Sequence, residues 1–578
     1  MSAPRGGAAW IVVGGQAEQV VVVRLAPDGR ELDRRVVGTA ELAVHVAERQ
    51  QAEPGARWVW HDTARRYPAM LDAGVRVGRC HDLRLCHAIL STSSSVARAA
   101  DLRAATQWDA VAAPEGPTGD ALFTLADDPA ARSGPPEGID EALAEFARQR
   151  AAIAGAADPR RLEILCAAES AGALIAAELR HAGLPWDAAV HEDILIAELG
   201  RRPAAGGLPA RVAELAAAVR AQLRDPQANL DSPAKLLRSL HRIDIPARTT
   251  AKWELRDFDH PVIELLLEYK RLHRLLTANG WAWLAEWVHD GRFRPVYIPA
   301  GVVTGRWAAS GGGALQIPRQ LREAMRADSG WRLVVADVAQ LEPRVLAAMA
   351  RDLALAESAR GHDLYAGIVE RGAVAERHEA KVAMLGAMYG ATTGDSGRLV
   401  PRLRRTYPRA MELVDAAARA GENGEQVSTW LGRTSPPASA GWRARQASAA
   451  GEGASAADRD RARRAAGDRG RFTRNFVVQG TAAEWALAWL GEVRARLARL
   501  DPVPTAEAAP RSGAAFARVP HLAFFLHDEL IVHTPARHAE AVAEIVREAA
   551  QAAASLLFGD FPIDFPLDLH ISRTGAKG

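Results

Sequence analysis

Lysine is scarce in this chain: of its 72 basic residues only Lys235, Lys252, Lys270, Lys381 and Lys577 are lysines, so each is a position where arginine was not used. Cysteine is scarce as well. Cys80, Cys86 and Cys166 are too few for a disulfide framework and lack paired metal-ligand spacing, which points to a reducing compartment. No run of about 18 apolar residues occurs, so no membrane partner is expected, and with no signal-peptide pattern at the start the expected location is cytoplasmic. Excess charge is also missing. A net charge of +2 gives no overall attraction for a polyanion, so any nucleic-acid contact has to come from a local basic face.

What is present is an ordinary globular composition, 48% apolar and 25% charged, over 578 residues, enough for three or four domains of an α/β multidomain protein. Trp10 to Val13, Val20 to Leu25 and Trp58 to Trp60 read as strands, and Tyr67 to Leu71 begins a short helix. Ser91 to about Gly155 reads as loops and short helices. Arg161 to Leu184 reads as a helix closed by Gly183, with Pro185 preventing continuation. From Asp187 to Trp287 the pattern is almost entirely helical. The last helix, Pro261 to Trp287, carries Lys270, Arg271, His273 and Arg274, which suit either a solvated face or a phosphate backbone. Ser435 to Gly470 and Asp501 to Ala517 are low in complexity and read as mobile loops.

Three stretches carry candidate chemistry. In Leu333 to Met349 an apolar β-branched run ends at Asp337, and from Glu342 the apolar residues recur at helical spacing, fixing Gln340, Glu342 and Arg344 near the aspartate. By itself this also suits an aspartate that caps the next helix. Ala373 to Tyr389 reads as a helix with Arg377, Lys381, Leu385 and Tyr389 at steps of four, all within a face about 120° wide. Two cations followed by an apolar and an aromatic residue could grip a triphosphate at one end and a base or sugar at the other; snorkelling side chains on an amphipathic helix are the alternative. Leu522 to Thr534 reads as a hairpin presenting His527, Asp528 and Glu529 at its tip. Before it, Arg471, Asn475 and Gln479 step by four along a helix, a polar row suited to a duplex groove.

These stretches resemble the motifs of the DNA polymerase I family, family A, and of its bacterial bifunctional 3′-5′ exonuclease/DNA polymerase subgroup. ADVAQLEPRVLA is similar to its DYSQIELR palm motif, RHEAKVAMLGAMYG to its fingers-helix motif, and LHDE to its third motif. VTGRWAAS (Val303 to Ser310), ALQIP (Ala314 to Pro318) and QGTAAEWA are similar to TGRLSS, LQNIP and QGTAADI, in the family's order over roughly residues 187 to 578. The resemblance implies a right-hand polymerase: thumb 187–294, palm 295–350 and 477–578, and fingers 351–476 with a mobile insertion near 435–470. An RNase H-like 3′-5′ exonuclease-type domain would occupy 1–186. It implies a DNA-templated DNA polymerase acting on primer-template DNA and dNTPs, as a monomer, with two Mg²⁺ ions for which Mn²⁺ can substitute.

By the same resemblance, Asp337, Asp528 and the Val338 carbonyl are metal ligands, with Glu529 beside the primer end. Arg377, Lys381, Leu385, Tyr389, Glu342, Gln340 and Tyr365 face the nucleotide, Lys381 also as a proton donor. Arg306, Arg471, Asn475, Gln479 and His527 contact DNA. Departures from the family are Val338-Ala339 for Tyr-Ser, Pro343 for Leu, Tyr365 for a triphosphate-binding histidine, and Leu385 for an aromatic. The first 186 residues depart further. They hold no Asp-x-Glu, and Cys166 to Ser170 replaces Tyr-x-x-x-Asp, so the exonuclease-like domain is expected to be degenerate, without proofreading. The other readings are a DNA-binding scaffold without catalysis, disfavoured by the joint presence of Asp337, Lys381 and Asp528, and a single-subunit RNA polymerase, disfavoured by Glu342.

Overall fold

Valine and isoleucine crowd the first 25 residues, and in the computed structural model they build a sheet. The structure describes residues 7–15, 18–97, 99–109, 134–203, 206–310, 313, 317–361, 363–390 and 394–576, without the side chains of 394–396. Residues 314–316 of the ALQIP stretch and His362 lie outside the described residues. The chain divides into two compact units, one of 1–183, 296–310 and 329–572, the other of 184–295, 311–328 and 573–578.

The first unit begins with strands β1 (Trp10–Gly14), β2 (Gln19–Leu25), β3 (Glu31–Gly38), β4 (Arg57–Trp60) and β5 (Cys80–Asp82) in the order β3-β2-β1-β4-β5. The β1–β2 and β2–β3 pairs are antiparallel, while β1–β4 and β4–β5 are parallel. Side chains of β1 alternate between two cores, Ile11 and Val13 on one side and Val12 on the other, as a strand's period of two requires. The expected three strands are therefore five. β3, ELDRRVVG, is a largely exposed edge whose polar residues hide its pairing, and β5 has only three residues. Ile139–Ala154 is a 16-residue helix where loops and short helices were expected, and the next helix spans Pro159–Ala182, ending as read at Gly183.

The rest of this unit centres on a four-stranded antiparallel sheet in the order His521–Leu526, Glu529–Pro535, Trp331–Val338, Leu567–Ser572. Trp331–Val338 is flanked on both edges, so Leu333, Val334, Val335 and Ala336 are wholly buried. Helices Leu341–Met349, Arg377–Tyr389 and Pro408–Glu422 share a hydrophobic cluster that includes Met384, Met388 and Val478. A 42-residue helix, Ala456–Leu497, runs past that cluster. Its start is fixed by a capping box between Ser455 and Asp458, and near its end Arg494 pairs with Glu178 and donates to the Gly78 carbonyl at 2.7 Å. The segment expected to be a mobile loop is thus helical: Ala440–Ala450 is one helix, and 456–470 opens the long one. Its alanine richness, which resembles low complexity, is high helix propensity.

The second unit is mainly helical: Ala188–Leu199, Ala210–Gln222, Pro233–His241 and Pro261–Asn279, followed by Trp281–Trp287 after a break at Gly280. The cationic cluster expected on one long helix is largely consumed internally. Arg271 pairs with Glu198 and Glu268, and Lys270 donates to the Thr250 carbonyl.

Candidate active site

Asp337 sits one residue from the end of its strand, in register with Glu529 on the neighbouring strand. The connection between His521–Leu526 and Glu529–Pro535 is only His527 and Asp528, with His527 at φ 57°, a left-handed conformation that swings the next residue back over the sheet edge. The Val338 N–H then donates to the Asp528 carbonyl at 3.0 Å. The ends of three segments are thereby closed on one another, with Asp337 and Asp528 side by side. Burial first, and the Asp337 charge second, push Asp528 up to about 6. A pair of carboxylates that repel each other in this way is relieved by a divalent cation, for which oxygen donors are the fitting ligands. Glu529 is buried.

Glu342, in the first turn of Leu341–Met349, ties three elements together. One of its oxygens accepts from Arg306 and the other from the Tyr389 hydroxyl at 2.6 Å. Burial, reinforced by that hydrogen bond, holds the Tyr389 phenol far above its ordinary range. Partial desolvation and the nearby Arg306 charge lower the His527 imidazole. Pro343 falls within the same first turn, where the missing N–H disturbs no ladder bond. Gln340, left-handed at φ 48°, precedes the helix and accepts from the Arg344 guanidinium and the Leu364 N–H, each at 3.4 Å.

The helix Arg377–Tyr389 begins four residues later than expected; Ala373 and Val374 are instead buried in the turn before it. Arg377 and Lys381 are exposed at its N-terminal end. Arg377 donates to Asp363 at 2.5 Å and lies 5.7 Å from the Tyr365 ring centroid. Burial pushes the Tyr365 phenol up to about 12. Leu385 is half-buried and packs against the helical cluster. Gly390, at φ 74°, terminates the helix where a Cβ would come within 2.7 Å of Arg471 Cγ. The row Arg471, Asn475 and Gln479 is also located, on the long helix. Arg471 pairs with Asp468, Asn475 is half-buried, and Gln479 accepts from the Thr304 hydroxyl at 2.9 Å.

Arg344 was expected near the aspartate, but the contacts it makes there, and the residues that brace the site around it, gave no sequence signal. Arg344 is wholly buried and donates to the carbonyls of Ala339 at 2.9 Å, Ala359 at 2.7 Å and Asp564 at 3.1 Å, fixing the turn after Asp337. The Tyr297 hydroxyl donates to the Phe525 carbonyl at 2.9 Å, bracing the strand that leads to Asp528. Arg433 is buried beneath Gly305 and paired with Glu169, and a Cβ on that glycine would lie 2.6 Å from Arg433 Nε. Only the glycine next to Arg306 hinted at such a close approach.

Residues 205–574 match the family model described as DNA polymerase family A. The chain is 28% identical over 340 residues to "DNA polymerase I, thermostable" of Thermus filiformis, covering 54% of this chain and 36% of that protein. To DNA polymerase I of Chloroflexus aurantiacus it is 27% identical over 340 residues, 54% of this chain and 32% of the relative. The matches thus span about a third of these relatives' length. The solved structure titled "POL domain of Pol1 from M. smegmatis complex with DNA primer-template and dNTP" is similar in fold, with TM-score 0.65 and 18% identity over 98% of this chain and 95% of that one. With well over half its length matched to the family model, the chain belongs to DNA polymerase family A.

Proposed function

We propose that the protein is a DNA-templated DNA polymerase that adds dNTPs to a primer 3′ end. The observation that carries this is the meeting of Asp337 and Asp528 at adjoining strand ends, closed by the Val338 N–H on the Asp528 carbonyl. Two Mg²⁺ ions held by Asp337, Asp528 and the Val338 carbonyl would supply acidification of the primer hydroxyl and neutralisation of the leaving pyrophosphate. Arg377 and Lys381 bind the triphosphate, and Lys381, exposed and without an ion pair among the described residues, donates a proton to the leaving group. Glu342, held by Arg306 and Tyr389, fills the space of a ribose 2′ hydroxyl, which favours dNTPs over rNTPs. Arg306, Arg471, Asn475 and Gln479 contact the minor groove, and His527 the primer terminus.

In this reading residues 187–294 are the thumb, 295–350 and 477–578 the palm, and 351–476 the fingers. Residues 1–186 are an exonuclease-like domain kept as structure. The apolar β1, WIVVG, and the use of Ser170 as an acceptor for the Asp82 N–H support loss of proofreading. Primer extension tests the polymerase reading. Asp337→Asn and Asp528→Asn are each expected to slow extension by several orders of magnitude while leaving primer-template affinity nearly unchanged, because affinity rests on phosphate contacts. Extension at the parental rate by either variant rejects the reading.

A further inference from the structure

The hairpin formed by Ala440–Ala450 and the start of the long helix is far more basic than the chain that carries it. Residues 436–474 hold nine arginines against four acids, an excess of five, whereas the whole chain has an excess of two. Several of these arginines have structural partners: Arg461 pairs with Asp458, Arg463 with Asp460, and Arg471 with Asp468. Arg469 donates to the Glu425 and Pro436 carbonyls. Arg445, Arg459 and Arg464 are exposed, and their side chains carry no hydrogen bond or ion pair among the described residues. Between the two helices lies an open cavity of about 670 Å³ into which Arg445, Arg461 and Arg464 project beside two half-buried aromatic rings, Trp442 and Phe472.

The hairpin is a built element. Trp442 donates its indole N–H to the Ala465 carbonyl at 3.1 Å and lies against Gly424, and Gln446 donates to the Ala462 carbonyl at 2.9 Å. Residues 464, 468, 471, 475 and 479 step by four, three, four and four along one helix, so the basic pocket continues the stripe that ends at Gln479. Fifteen residues of helix separate Arg464 from Gln479, roughly 22 Å at about 1.5 Å per residue. Cations that track a backbone, interleaved with ring faces on which bases can stack, are the recognition chemistry of a single strand. A duplex keeps its base faces hidden.

We propose that this hairpin is a binding site for unpaired DNA, holding the template strand roughly 22 Å beyond the Gln479 end of the stripe. The assignment of the strand as template rests on the polymerase reading; the binding does not, because it is measured without nucleotide or metal. The test is fluorescence anisotropy on the full chain with labelled oligo-dT and, separately, a blunt duplex, across a series of salt concentrations. Arg445→Ala with Arg464→Ala is expected to weaken oligo-dT binding about tenfold and to lower the magnitude of its salt slope by about 1.4, at about 0.7 per phosphate contact on a single strand. Blunt-duplex affinity should move less than twofold. The double lysine variant, which keeps both charges, should retain the parental slope, so a general loss of folding is distinguished from a loss of contact. An unchanged affinity and slope in the alanine variant overturns the proposal, as does an equal loss on single strand and duplex. Extension on a template with a one-nucleotide overhang should be unaffected in the alanine variant, and extension on long overhangs should need more template.

Discussion

Replacing Glu484 by glutamine is expected to stabilise the protein at pH 8 and to leave it nearly unchanged at pH 5. Glu484 lies on the buried face of the long helix, where its carboxylate accepts from the Thr429 hydroxyl and from the Leu431 N–H at 2.9 Å. Burial pushes it up to about 7 from an ordinary 4.5, and the two hydrogen bonds and the Arg433 charge oppose that shift without cancelling it. Arg433 is already paired with Glu169, a second fully buried carboxyl that burial also raises. A single guanidinium thus serves two acids. An acid whose folded pKa lies above its unfolded one holds an extra proton in the folded state between the two values, so stability falls as pH rises from about 4.5 to about 7 and stays lower above that. A gap of about 2.5 units corresponds to about 3 kcal/mol at about 1.4 kcal/mol per unit. Glutamine does not ionise, and it can accept from the Leu431 N–H while donating to the Thr429 oxygen. The variant should therefore gain up to about 3 kcal/mol at pH 8 and under about 1 kcal/mol at pH 5. Melting temperatures of both proteins at the two pH values, at matched ionic strength, provide the readout. A difference independent of pH, or one larger at pH 5, refutes the reasoning.

Glu342→Ala should admit ribonucleotides, lowering dNTP/rNTP discrimination in kcat/KM by one to several orders of magnitude; unchanged discrimination means that the carboxylate is not the gate. Leu385→Phe should lower the melting temperature by overpacking the helical cluster, at a cost of about 1 to 3 kcal/mol, because that side chain is half-buried there. A lower KM for dNTPs at unchanged stability would instead put residue 385 against the base. The purified protein should leave a mismatched primer 3′ end intact in Mg²⁺; metal-dependent trimming that survives Asp337→Asn counts against a degenerate N-terminal domain.

The strand carrying Asp337, the hairpin at Asp528 and the Arg377–Tyr389 helix were legible because each has a strong local pattern: a buried β-branched run, two such runs around a two-residue turn, and a row at steps of four. Glu342 and Tyr389 were brought together only through the family resemblance, and the Arg306 pairing with Glu342 was not foreseen, since no local period links residues that meet from three separate elements. The edge strand Glu31–Gly38 was missed because solvent on its exposed side permits charged residues where pairing alone makes the strand. The Arg433, Glu169 and Glu484 cluster was illegible for a different reason. Glu169 and Arg433 are 264 positions apart, and a buried ion pair leaves no periodic trace in either segment. The arginine-rich hairpin was visible as composition but read as a loop, because alanine without apolar periodicity indicates propensity and not packing.

The uninterrupted course of Ala456–Leu497 makes sequence length along it a matter of phase. A single residue inserted near Ala466 would turn Arg464 by about 100° relative to Gln479, swinging the arginines off the stripe while extending it by only about 1.5 Å. A seven-residue insertion would come back to within about 20° of the original direction and carry the arginines about 10.5 Å further out. Relatives or engineered versions that keep both ends of the stripe in line can therefore lengthen it by about three or four residues or by about seven, close to whole helical turns, whereas insertions of one, two, five or six residues would turn the basic face away from the stripe.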